Sequence, residues 1–140
     1  MAVARLTLLA DTLRLEELNA FIDRFVEDNG LPHSLSLSLQ LVLEELFVNV
    51  ANYGAAPDAD RPAEVDIELT LQDQTLQVRL TDTGVPFDPL AAPEPDAEAG
   101  LFDREPGGFG IALVRTHMDT LAYSRRDGQN QLIMHKQLDG

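Results

Sequence analysis

The sequence predicts an α+β fold: a two-layer sandwich with helices on one face of a mostly antiparallel mixed sheet. Three observations carry that expectation. EVDIELTL and TLQVRLTD, residues 64–71 and 75–82, alternate strictly between apolar and polar side chains across Gln72-Asp73-Gln74. Two segments with apolar residues at helical spacing precede this hairpin, and a third follows it ahead of two more strand-like runs. The βαβα rhythm of a doubly wound nucleotide fold is missing.

The elements follow in order. Residues 3–9 (VARLTLL) read as a short strand. A helix is expected over 12–29, where Leu15, Leu18, Phe21, Ile22, Phe25 and Val26 recur on one face, with Asp11 as cap and Gly30 as stop. After the Leu31-Pro32-His33 connector, 34–53 form a longer, more apolar helix whose Leu39, Leu43, Leu46 and Val50 should face the sheet. Residues 54–63, rich in Gly, Pro and Asp, read as a loop. In the hairpin Val65, Ile67, Leu69 and Leu71, then Leu76, Val78 and Leu80, point at the helices, and the other face is wet. Residues 88–106 have no sustained period and read as a loop. The glycines of PGGFGIALV open a helix to about His117, and TLAYSRR and NQLIMHKQL form strands joined at Asp127-Gly128.

A chain of 140 residues fits one domain, spanning 1–140. The formal charge of −14, with a single lysine (Lys136), argues against nucleic acid and anionic membrane as partners. With no cysteine, thiolate chemistry and disulfides are excluded. The N-terminus has no secretory h-region and no apolar run is read as long enough to span a bilayer, so a cytoplasmic location is expected. An anionic ligand would need positive potential from backbone N–H groups, a helix N-terminus or a cation.

Three places could supply that chemistry. At ~100° per residue, Glu45, Asn49 and Asn52 share a sector of roughly 60° on the second helix, while Glu44 points elsewhere. Such a stripe is either a solvated helix face or a site where an Asn amide meets Mg²⁺ and a glutamate one turn earlier acts as general base. Asp82 ends the second hairpin strand, with Gly84 and Pro86 after it; these residues either make a turn or let a carboxylate accept from the exocyclic amine of adenine, with Gly84 admitting the base close to the main chain. Gly107, Gly108 and Gly110 are either a hinge or an anion nest that leads through Ile111 into a helix N-terminus.

Taken together, EELFVN, DTGVPFDP and GGFGIALV, with the closing NQLIMHKQL, resemble the GHKL (histidine-kinase-like, Bergerat) ATPase family. The match looks best to its anti-sigma factor serine/threonine kinase branch and covers nearly the whole chain. The resemblance implies the Bergerat ATP-binding fold, with ATP and Mg²⁺ as cofactors. It implies Asn49 on the metal, Glu45 as catalytic base, and Asp82 and Gly84 at the adenine. The lid would lie at about 88–106, with Gly108 and Gly110 on the phosphates; Asn52, Gly107 and Ile111 complete the expected nucleotide site. Pro86 stands where many relatives have a second glycine, and Tyr53 where many have histidine. The implied function is an anti-sigma factor serine/threonine-protein kinase that phosphorylates a STAS-type antagonist, sequesters a sigma factor and forms a homodimer. The alternative is a non-catalytic ATP-binding module that binds its partner according to nucleotide state. His33, His117 and His135 are given no site role, Lys136 reads as an exposed charge, and Arg125 and Arg126 as a solvated pair.

Overall fold

The alternating segments form the middle of a five-stranded sheet of order β1-β2-β3-β5-β4. The computed structural model describes residues 1–54, 62–86, 88 and 110–138. Its strands are β1 (Ala2–Leu9), β2 (Glu64–Gln72), β3 (Thr75–Asp82), β4 (Thr120–Arg126) and β5 (Gln129–Gln137). Its helices are α1 (Leu15–Asp28), α2 (His33–Tyr53) and α3 (Gly110–His117). All four strand pairings are antiparallel, so the α+β sandwich holds and its sheet is more uniform than the mixed one expected.

Register decides which side chains share a face. Leu69 sits opposite Val78, Val78 opposite Met134, and Leu80 opposite Leu132, so one face is continuous hydrocarbon. Against it lie Leu18, Ile22, Phe25 and Val26 of α1 and Leu39, Val42, Leu43, Leu46 and Phe47 of α2, all buried. The opposite face is wet: Arg5 pairs with Asp66 at 2.8 Å and Glu68 at 3.4 Å, and Arg79 reaches Glu68 at 2.9 Å. The hydrogen bond to Asp66, then the charges of Asp66 and Glu68, hold the exposed Arg5 guanidinium above its ordinary value. Screened pairs of this kind add little stability.

Local chemistry sets the element ends. Asp11 Oδ1 accepts from Leu13 N at 3.0 Å, capping a 3-10 turn at Thr12–Arg14, so the α-helix begins three residues later than the spacing predicts. Gly30, at φ +64°, closes α1 in a Schellman arrangement, with Leu31 N on Val26 O and Gly30 N on Glu27 O. The hairpins turn through Asp73-Gln74 and Asp127-Gly128, all four residues at positive φ. Gln74, at φ 66°, holds a left-handed conformation without being glycine. Gln74→Gly is expected to stabilise the domain by ~0.5–1 kcal/mol, raising Tm by ~2–3 °C in thermal unfolding.

Two expectations change here. By length and composition, residues His33–Asn52 are apolar enough to cross a bilayer, contrary to the sequence reading that no run reaches that length. The burial of this helix against the sheet accounts for its composition. Lys136 is half-buried rather than freely exposed: its Nζ donates to His117 O at 2.8 Å, satisfying a terminal carbonyl of α3.

Candidate functional site

The site lies where the C-terminal half of α2 crosses the ends of β3, β5 and β4. α2 reaches this place because Leu39, Leu43 and Leu46 anchor one of its faces in the core, with Val50 packed beside them. Its other flank is tied to α1 by a polar seam. Asn19 Nδ2 donates to Glu44 Oε1 at 2.7 Å, Ser36 Oγ donates to Asp23, and Gln40 Nε2 donates to both Asp23 and Ser36 at 3.0 Å. This seam separates the adjacent glutamates. Glu44 is spent on holding α1, whereas Glu45 is half-buried and makes no hydrogen bond or ion pair among the described residues.

The predicted stripe splits by depth. Asn49 is 9% exposed, and its side-chain amide finds no partner among the described residues. Asn52, three residues on, is exposed. A buried amide with unspent donor and acceptor capacity is costly unless something else satisfies it. The amide atoms of Asn49 are not fully shut off from solvent, unlike Asn19 Oδ1, so this amide can meet either water or a ligand.

Asp82 ends β3 opposite Val65 on one side and Asn130 on the other, and is 6% exposed. Its Oδ1 accepts from Gly84 N at 2.9 Å and from Asn130 Nδ2 at 3.0 Å. The residues therefore do form an Asx turn, the structural alternative weighed above. The turn leaves Asp82 Oδ2 without a partner among the described residues, so a carboxylate oxygen is still available to a ligand donor.

The turn is held from three sides. Val85 N donates to Gly54 O at 2.7 Å, Asn130 Nδ2 to Val85 O at 2.7 Å, and Arg125 Nη1 to Gly84 O at 2.8 Å. Arg125 is exposed, as the reading of a solvated pair expects, and it also donates to the turn. A Cβ on Gly84 would stand 2.5 Å from Gly54 O and 2.9 Å from Asp82 Oδ1, so protein backbone alone already requires glycine here. Gly54 sits at the end of α2 with Val50 O 2.6 Å from where its Cβ would be.

Asn49 and Asp82 line one small cavity of about 30 Å³, with Leu46, Val50, Leu80, Leu132, Tyr123 and Asn130. Its wall is mainly apolar, with two amides, a carboxylate and a phenol, a mixture of groups that suits a purine base, while its volume is about that of one water molecule. A much larger opening of about 1200 Å³ lies among 29–32, 71–74 and 136–138. It is an open groove at the other end of the strands and contains none of the predicted site residues.

Gly110 is the first residue of α3 and Ile111 the second; α3 packs on α2, so its N-terminus belongs to the same layer as Asn49. Gly107 and Gly108, and the lid expected at 88–106 beyond residue 88, lie outside the described residues. Sequence reasoning missed Gly54, Tyr123 and Asn130. Gly54 fell into a loop-like composition, and the other two read as ordinary strand residues. The alternation gave one signal: Asn130 shares the buried face with Leu132 and Met134, where a polar side chain needs a partner.

Comparison with known proteins places the fold and the family. A family model described as "Histidine kinase-like ATPase domain" matches residues 8–136. The serine/threonine-protein kinase BtrW of Bordetella bronchiseptica is 32% identical over 100 residues, covering 71% of this chain and 69% of that protein. Among solved structures, the RsbU and RsbW domains of Rv1364c from Mycobacterium tuberculosis superpose with a TM-score of 0.69 at 14% identity. That match covers 99% of this chain and 33% of the mycobacterial one, so the present chain spans about a third of its length. The histidine kinase domain of the Erythrobacter litoralis EL346 blue-light activated histidine kinase gives 0.55 at 15% identity, over 94% of this chain and 62% of that one. These two likenesses establish the fold. On the family match over residues 8–136, the chain belongs to the histidine kinase-like ATPase domain family.

Proposed function

We propose that the chain is an ATP-dependent protein serine/threonine kinase of the anti-sigma factor type. Its substrate in this reading is a STAS-type antagonist, and the kinase, a homodimer, also sequesters a sigma factor. The observation that carries the proposal is the meeting of Asn49 and Asp82 in one cavity, each with side-chain capacity unspent among the described residues and Glu45 one turn away on α2. The relative named as a serine/threonine kinase supports the reaction class.

Asp82 Oδ2 would accept from the adenine amine while Oδ1 holds the turn. The apolar side chains around it would exclude water from the base, and the N-terminus of α3, with Gly107, Gly108 and Gly110, would face the phosphates. Among the described residues no group of three or more His, Cys, Asp or Glu is arranged to hold a metal. The Asn49 amide oxygen is a neutral hard donor of the kind that suits Mg²⁺, which is commonly bound by one or two protein oxygens plus substrate phosphates, and it would supply the protein oxygen here. When bound, Mg²⁺ neutralises charge on the transferring phosphoryl group. Glu45, half-buried and without a hydrogen bond or ion pair among the described residues, would take the proton from the acceptor hydroxyl.

The test is γ-labelled ATP with a candidate STAS-type protein, beside nucleotide titrations with and without Mg²⁺. Label is expected on a serine or threonine of that protein. Asn49→Ala should weaken ATP binding at least tenfold in Mg²⁺ and remove most of the difference Mg²⁺ makes. Binding without transfer would instead select the nucleotide-dependent regulatory module. Equal ATP affinity in wild type, Asn49→Ala and Asp82→Asn would overturn the site.

A further inference from the structure

A carboxylate that reads a base must present the same oxygen every time, and the described residues show what fixes it. Asn130 lies on β5 directly opposite Asp82, 5% exposed, in the wall of the cavity. Its Nδ2 donates to Asp82 Oδ1 at 3.0 Å and to Val85 O at 2.7 Å. Its Oδ1 accepts from Tyr123 OH at 2.5 Å, reaching across from β4. Chemistry removes the usual ambiguity of an amide's orientation: a carboxylate and a carbonyl are both acceptors, so only the NH₂ end can face them. The oxygen must then face Tyr123, and the phenol must donate.

We infer that Asn130 and Tyr123 are positioning residues for nucleobase selection: Tyr123 fixes the Asn130 amide, and Asn130 with Gly84 N occupies Asp82 Oδ1, reserving Oδ2 for an exocyclic amine. The inference rests on the adenine reading of Asp82 given above. Two donors on one oxygen fix the plane of the carboxylate as well as its free edge. Every proton in the chain from Tyr123 to Asp82 points toward the carboxylate, so the free edge can only accept. Adenine offers an amine at that position, whereas guanine offers a carbonyl oxygen, which such an edge repels. Neither Asn130 nor Tyr123 has to touch the base.

Nucleobase selectivity tests this better than affinity, because general loosening of the pocket would weaken ATP and GTP alike. Tyr123→Phe keeps the ring in the cavity wall and removes only the donor. It is expected to reduce the ATP-over-GTP affinity ratio about 3- to 10-fold, the range of one lost hydrogen bond, with thermal unfolding still cooperative. Asn130→Asp replaces the donor facing Asp82 with an acceptor and should reduce the ratio further. Asn130→Ser, smaller and without that repulsion, serves if Asn130→Asp does not fold. An unchanged ratio in folded Tyr123→Phe and in the folded Asn130 variant, while Asp82→Asn loses its preference for ATP, would overturn the inference and leave the adenine reading intact. If Asp82→Asn also keeps its preference, both are overturned.

Discussion

Glu45→Gln is expected to bind ATP within about twofold of wild type and to transfer its γ-phosphoryl group ~10²–10⁴ times more slowly, the usual range for loss of a general base. The substitution keeps the shape of a half-buried side chain that forms no hydrogen bond or ion pair among the described residues, so the fold should not register it. Single-turnover transfer to the antagonist, measured at saturating nucleotide, separates the chemical step from binding. Glu44→Gln is the control. That glutamate accepts from Asn19 Nδ2 across the α1–α2 seam, a bond that a glutamine oxygen can retain, and it should transfer at the wild-type rate. Equal rates for Glu45→Gln and wild type would remove Glu45 from the mechanism.

Asp82→Asn is expected to lower ATP affinity by about 30- to 1000-fold, or ~2–4 kcal/mol, with little loss of thermal stability. The asparagine oxygen can still accept from Gly84 N and Asn130 Nδ2, so the turn survives. Its NH₂ then occupies the position of Oδ2 and, in the proposed site, would face the adenine amine, donor against donor. The loss should be similar for ATP and for adenosine alone, since the proposed site puts the phosphates away from Asp82. Calorimetric titration of both ligands checks this; a loss confined to ATP would place Asp82 at the phosphates and away from the base.

The parts of this fold that were legible in the sequence are those decided by local periodicity. A sheet with one wet face writes its register into alternation, so residues 64–71 and 75–82 were readable as a hairpin, although Asp73-Gln74 contains no glycine to mark the turn. The core face of α2 was readable for the same reason. Depth was less so: Asn49 and Asn52 fall in one sector of the helix, and only the sheet beneath α2 buries the first and leaves the second exposed. Asp82 was visible because a strand stops at it. Asn130 and Tyr123 were not, because their role depends on β5 lying between β3 and β4, a pairing that no local pattern specifies. Gly54 illustrates the same limit, since its composition reads as loop while its function is a contact with a residue thirty positions later.

The Gly54–Gly84 contact has a mechanical consequence. With no side chain between them, the end of α2 and the turn beside Asp82 meet backbone to backbone, joined by the amide of Val85. Compliant side chains normally damp small movements between neighbouring elements; here that damping is missing. If a base binds in the proposed site, a shift of the turn would pass into the end of α2 through main chain alone, and α2 is in turn tied to α1 by the Asn19–Glu44 hydrogen bond.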